Sequence, residues 1–200
     1  MYKAEDLKII ILGSIGVGKT SLLTQYVKNT FTEDYRTTLG ASILTKQITV
    51  DDKAVKLQIW DTGGQERFRA LVSSFFKGSD GCMLAFDVTD TDSFYALEDW
   101  RQEILSQTRP GPQQFPFVVL GNKIDLTSRQ VSSAQAEDWC QDKNIPYFEV
   151  SAKCNVNVDQ AFRRLVRDAL LQDSEAKDYY LTDSVTLRHN QTPDKRSCDC

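Results

Sequence analysis

Apolar positions fall along this chain in two rhythms. Leu7-Lys8-Ile9-Ile10-Ile11-Leu12 is nearly continuous, as in a strand covered on both faces. Residues 20–28 then carry helical spacing. Residues 43–50 and 54–60 alternate around Asp51-Asp52-Lys53, which predicts a hairpin. A helix is expected near 67–77, a buried strand at Gly81–Asp87 and a helix over 92–107. Thr108-Arg109-Pro110-Gly111-Pro112 marks a surface loop. Phe117–Gly121 reads as another buried strand, 132–142 as a helix, Pro146–Val150 as a short strand and 157–171 as a final amphipathic helix. Strands alternating with helices predict an α/β fold. Its six-stranded sheet is mostly parallel, with one antiparallel strand from the hairpin and helices on both faces. Ligands then belong at the carboxyl ends of the strands.

From Gln172 the periodicity stops, and six acids and four bases are spread over the last residues. The expected organisation is one domain, 1–171, and a flexible, solvated tail, 172–200. Composition adds exclusions. A net charge of −4 argues against a nucleic-acid partner. No apolar run reaches the length of a membrane span, and the first residues lack a secretory leader. Cys82, Cys140 and Cys154 read as reduced thiols of a cytosolic protein. The single histidine, His189, lies in the polar tail, so the domain has no histidine chemistry.

Residues 13–20, Gly-Ser-Ile-Gly-Val-Gly-Lys-Thr, fit G-x-x-x-x-G-K-[ST] between a strand and a helix. Glycines let backbone N–H groups converge on an anion, and the helix N-terminus adds its dipole. Ser14, Ile15, Gly16, Val17, Gly18, Lys19, Thr20 and Ser21 are the candidate nucleotide-binding residues here. Lys19 would reach the β- and γ-phosphates, and the Thr20 hydroxyl would hold Mg²⁺.

Trp60-Asp61-Thr62-Gly63-Gly64-Gln65 follows the hairpin. Asp61 can hold a water of Mg²⁺, the Gly64 N–H can meet the terminal phosphate, and Gln65 can orient the attacking water. Thr38, or its neighbour Thr37, can add a second hydroxyl to the metal. Asn122-Lys123-Ile124-Asp125 ends a strand. The Asp125 carboxylate matches the paired donors of guanine, which adenine lacks. The Lys123 stem can cover the base, and Asn122 can tie the base to the phosphate loop. Ser151-Ala152-Lys153 would bring the Ala152 N–H to the guanine carbonyl. Phe31 either packs edge-on to the base or belongs to the core.

Together these motifs resemble the small GTPase superfamily from Leu7 to Leu171, and within it the Rab family. The similarity is carried by Lys56–Asp61, Gln65-Glu66-Arg67-Phe68, Phe75-Phe76-Lys77-Gly78, Gly121–Asp125 and Glu149–Lys153. Thr37–Leu44 and Asp61–Gly64 look most like the late-endosomal Rab-seven branch and its b-type members, with Rab-nine proteins next. The resemblance implies a small G-protein fold of the phosphate-loop class and Thr38 as the metal threonine. It implies an Mg²⁺-dependent GTP/GDP switch with slow intrinsic hydrolysis. A partner's arginine raises such hydrolysis by about 10³–10⁵-fold in Ras and related enzymes. Exchange factor, GTPase-activating protein, Rab escort protein, GDP-dissociation inhibitor and trafficking effectors are the implied partners of a monomeric domain. The implied location is the cytoplasmic face of late endosomes, lysosomes and the trans-Golgi network, with cycling through the cytosol.

Three departures modify this picture. Gly63 stands where most relatives have Ala, so slower or altered hydrolysis is expected. Ile15 crowds the γ-phosphate side of the loop, but many Rabs also lack a glycine there, so it does not imply inactivity. Ser42-Ile43 replaces an acidic-plus-Phe pair in the effector surface, which is expected to comprise Ile43, Trp60, Phe68 and Phe76. Cys198-Asp199-Cys200 resembles the double-cysteine ending of Rabs and implies two geranylgeranyl chains at Cys198 and Cys200, enough for stable membrane attachment. The rival readings are a nucleotide-dependent effector-binding module with negligible turnover and an ATP-using phosphotransferase, the latter opposed by Asp125.

Overall fold

The computed structural model describes residues 4–33, 38, 41–63, 74–108 and 115–182, with the backbone alone for 173–182. Its strands are β1 (Glu5–Leu12), β2 (Ala41–Val50), β3 (Lys53–Thr62), β4 (Gly81–Asp87), β5 (Phe117–Asn122) and β6 (Tyr147–Glu149). Helices are α1 (Lys19–Lys28), α2 (Thr91–Tyr95), α3 (Leu97–Gln107), α4 (Ser133–Asp142) and α5 (Val158–Thr182). The sheet order is β2-β3-β1-β4-β5-β6, and only the β2–β3 pair is antiparallel. The expected six-stranded, mostly parallel sheet is therefore present. Chain order reverses direction at β1, so the crevice for a ligand opens beyond Leu12.

β1 explains its own sequence. Ile9 and Ile11 enter a core with Leu22, Leu23, Tyr26 of α1 and Phe162, Leu165 of α5. Ile10 and Leu12 enter the opposite core with Phe86, Phe94, Trp100 and Ile104. Both faces are dry, so alternation disappears. Each such side chain contributes about 1.5–3 kcal/mol on burial. Tyr26 stacks on Phe162 with ring centroids 3.8 Å apart, locking α1 to α5.

Four elements differ from expectation. The hairpin turn is the two residues Asp51 and Asp52, both at positive φ (48° and 63°), which Asp tolerates in tight hairpins. Residues 92–107 form two helices, not one. Asp90 caps α2 through the N–H groups of Asp92 and Ser93, and Ala96 separates α2 from α3. Of the helix expected near 67–77, residues 74–78 are turns, and 67–73 lie outside the described residues. α5 runs to Thr182, past the boundary expected at 171. Residues 172–178 (Gln-Asp-Ser-Glu-Ala-Lys-Asp) contain neither Gly nor Pro, so nothing in the backbone chemistry stops the helix there.

Candidate functional site

The phosphate-loop residues fold into a bend between β1 and α1. Gly18 is the residue before α1, with φ +95°, and a Cβ there would lie 2.5 Å from Asn122 Nδ2. Gly13 is packed as closely. Its added Cβ would stand 2.1 Å from the Ala85 carbonyl oxygen, a backbone atom of the neighbouring strand. Lys19 is only 5% exposed, and its ammonium donates to the carbonyls of Gly13 (2.8 Å) and Ser14 (2.9 Å). Burial lowers its pKa to about 8, against the opposing charge of Asp61. A phosphate beside it would supply the counter-charge that two neutral carbonyls do not. No side chain caps the start of α1, so its first N–H groups are free of side-chain competition for an anion.

Thr20, Thr38 and Asp61 converge at the mouth of the loop. Thr20 Oγ1 lies 2.8 Å from Thr38 Oγ1 and donates to Asp61 Oδ2 at 2.7 Å. Asp61 is 1% exposed, and its Oδ1 has no hydrogen-bond partner among the described residues. Burial raises its pKa, although the Thr20 hydroxyl and the Lys19 charge pull the other way. An orphaned buried carboxylate oxygen beside two hydroxyls is a hard, all-oxygen donor set that suits Mg²⁺. Among the described residues no cluster of three His, Cys, Asp or Glu offers an alternative metal site.

The other end of the cleft is built by the loops after β5 and β6. Asn122, 1% exposed, donates from Nδ2 to the Val17 carbonyl (2.8 Å) and accepts at Oδ1 from the Ala152 N–H (3.2 Å). One side chain thus joins phosphate loop, β5 and the 151–153 turn. The Ser151 hydroxyl donates to Asp125 Oδ1 (2.6 Å) and accepts from the Cys154 N–H (2.9 Å), which fixes the carboxylate plane. Lys123 sits at φ 69°, and its ammonium meets Asp87 Oδ2 at 2.6 Å. Asp87 was missed from sequence. Its place as the last residue of an apolar strand, at a carboxyl end, was the available signal.

Glu149, the last residue of β6, ties together the segments that follow the two base-end motifs. Its Oε1 accepts from Arg129 (2.8 Å) and Ser133 (2.5 Å), and its backbone carbonyl accepts from Asn157 (2.8 Å). Burial would raise its pKa, but the hydrogen bonds from Ser133 and Arg129 outweigh it, and the net shift is downward. A depressed carboxylate contributes stability that is complete above its ordinary pKa and is lost as pH falls through the native value. Glu149→Gln is therefore expected to lower unfolding free energy by about 1–2 kcal/mol at neutral pH. In urea titrations the gap should close as the medium drops below pH 4. A gap that persists there would show that the charge is not the cause.

The phosphate loop and the loops after β5 and β6 enclose one cleft of about 640 Å³, the size of a typical small-ligand site. Of the predicted residues, Ile15, Gly16, Gly18, Lys19, Thr20, Ser21, Phe31, Thr38, Asn122, Lys123, Asp125, Ala152 and Lys153 line it. Val17 is buried beneath the loop, and Ser151 is buried behind Asp125. Phe31 lines the cleft and packs on the α1–α5 core. Thr30, Glu33 and Leu126 also line the cleft and were not singled out. Gly64 and Gln65 lie outside the described residues, as do Phe68, Cys198 and Cys200.

The expected effector surface needs one correction. Phe76 is fully buried in the core with Ile10, Leu84 and Trp100. Its neighbour Phe75 instead meets the Trp60 ring, with centroids 5.3 Å apart. Ile43, 50% exposed, is paired across the hairpin with Trp60. Ile43 is thus the exposed member of an Ile43–Trp60–Phe75 group, and Trp60 and Phe75 are half-buried against the core. The turn at 74–78 decides which phenylalanine points inward.

Sheet, loop and cleft define a phosphate-loop α/β protein. Residues 8–171 match the sequence model of the Ras family. The chain is 60% identical over 196 residues to the "Ras-related protein Rab-7b" of Bos taurus, covering 98% of each chain. Identity to the Mus musculus protein of that name is 58%, again over 98% of each. "GTP-binding protein yptV5" of Volvox carteri is 51% identical over 99% of this chain and 98% of its own. The chain belongs to the Ras family and, within it, is a Rab-7-like small GTPase, a GTP hydrolase.

Proposed function

We propose that the chain is a lipid-anchored switch for vesicle traffic at late endosomes, lysosomes and the trans-Golgi network, set by GTP or GDP in the cleft described above. The observation that carries this is the 2.8 Å approach of Thr38 Oγ1 to Thr20 Oγ1. Thr38 belongs to the segment leading into β2, and Thr20 to the phosphate loop, so what occupies the loop bears directly on that segment. Thr20 and Thr38 would hold Mg²⁺ with Asp61 behind them. The ion, when bound, neutralises charge on the phosphates.

In this reading the loop N–H groups and Lys19 hold the phosphates, and Asp125, held by Ser151, and the Ala152 N–H read the guanine edge. The Lys123 stem lies along the base. The Gly64 N–H meets the γ-phosphate, and Gln65 orients the attacking water. Loss of the γ-phosphate releases Thr38 and Gly64, and the segments at 32–44 and 61–78 relax together. Effectors read the GTP shape at Ile43, Trp60, Phe68 and Phe75. Exchange factor, activating protein, Rab escort protein and GDP-dissociation inhibitor act on the cycle. Residues 1–171 form the nucleotide-binding unit, and the segment after it carries Cys198 and Cys200 for geranylgeranylation. No described helix is long and apolar enough to cross a membrane, and prenyl chains at two cysteines supply attachment of the required strength.

Single-turnover GTP hydrolysis tests the chemistry. Gln65→Leu should slow phosphate release by about tenfold or more. Equal rates, with and without an activating protein, would remove Gln65 from this role. Absent release in both proteins would favour a binding module without turnover. Imaging of the tagged chain against one lacking Cys198 and Cys200 tests the membrane assignment.

A further inference from the structure

Two side-chain bridges cross the base end of the cleft, and three of their four residues, Glu33, Asn29 and Asn155, are not ones that the nucleotide reading assigns to the ligand. Lys153 Nζ meets Glu33 Oε1 at 2.9 Å, across 120 positions of sequence. Asn155 Nδ2 donates to Asn29 Oδ1 at 3.2 Å. Both run between the same two segments, the 29–33 stretch that leaves α1 and the turn that follows Ser151.

The 29–33 stretch is anchored at its root. Asn29 ends α1 at φ 53°, its N–H bonded to the Gln25 carbonyl, and its side chain also accepts from Gln25 Nε2 at 3.0 Å. Phe31 packs on the core between the two bridges. Beyond Phe31, Glu33 is 78% exposed at its side chain. The cleft is lined by Phe31, Thr32 and Glu33 on one side and by Ala152 and Lys153 on the other. A ligand leaving from the base end must part these two walls.

We propose that Glu33, paired with Lys153 and seconded by Asn29–Asn155, acts as a clasp over the base end that slows nucleotide release. The inference rests on the guanine-nucleotide reading of the cleft. Glu33 is a positioning residue: it holds the wall and does not touch the ligand. Each partner steadies the other's charge, the carboxyl held below its usual pKa by Lys153 and the ammonium raised by Glu33. The pair is exposed, so its effect is modest and sensitive to salt.

The experiment is dissociation of a fluorescent GDP chased with excess unlabelled GDP, using the full chain. Glu33→Lys should release it about two- to fivefold faster at low salt. The difference should vanish near 1 M NaCl, where the screening length is about 3 Å. In a Lys153→Gln background, Glu33→Lys should add no further acceleration, because the partner is already gone. A Glu33→Lys rate equal to wild type would overturn the clasp. So would an acceleration that survives high salt, or one of the same size in the Lys153→Gln background. A wild-type chain that holds no GDP would instead overturn the nucleotide reading itself.

Discussion

Replacing Asp125 with asparagine is expected to weaken guanine nucleotide binding by about 10⁴-fold, measured as the equilibrium Kd of fluorescent GDP. The reason is donor–acceptor matching. Guanine presents a ring N–H and an exocyclic amine on one edge, and an ionised carboxylate is acceptor-only on both oxygens. The Ser151 hydroxyl, donating at 2.6 Å, already fixes the orientation of that carboxylate. An amide turned to satisfy Ser151 with its oxygen would aim its NH₂ at a guanine donor. Turned the other way, it sets NH₂ against the Ser151 hydroxyl, whose own O–H then loses its acceptor. Either way a desolvated donor is left unpaired. The fold should suffer little, because Asp125 is exposed and its one described side-chain contact with a buried group is the Ser151 hydroxyl, which an amide oxygen can still accept. A loss below tenfold, with denaturation unchanged, would show that the base is read elsewhere.

Asn122→Ala is expected to damage stability and binding together. The side chain is buried and spends both ends on backbone groups, the Val17 carbonyl and the Ala152 N–H. Alanine leaves both unsatisfied, at about 1–3 kcal/mol each. Water can reach neither readily, since Asn122 is 1% exposed. The unfolding free energy should fall by about 2–4 kcal/mol in urea. Nucleotide affinity should drop as well, because the phosphate loop and the 151–153 turn lose their common tether. Gly18 adds to the constraint: with Asn122 Nδ2 only 2.5 Å from where its Cβ would stand, loop and tether fit only as a pair. Stability lost with affinity retained would mean that the loop holds its shape without Asn122.

How much was legible beforehand depended on how local the cause was. The loop of residues 13–20 announced itself because glycines, lysine and threonine at fixed spacing, between a strand and a helix, make an anion site from neighbouring backbone alone. Asn122 and Asp125 were legible because they end an apolar strand in an α/β pattern. The end of α5 was misjudged because falling hydrophobicity was read as loss of helix. Helical hydrogen bonds need no apolar face to continue, and residues 172–182 contain no breaker. The Ala96 break was hidden for the opposite reason. Residues 92–107 are helix-compatible throughout, and nothing in the residue types at Ala96 marks the interruption.

Sequence alone determined the alternation of elements, the sheet with its single antiparallel edge and the phosphate loop, because each rests on patterns local in the chain. Tertiary structure alone decided which of Phe75 and Phe76 meets Trp60, that Asp87 receives Lys123, and that Glu33 reaches Lys153. Adjacent phenylalanines are chemically alike, and only the path of the turn distinguishes them. A charged side chain accepts any opposite charge in reach, so its partner is chosen by where distant strands deliver it.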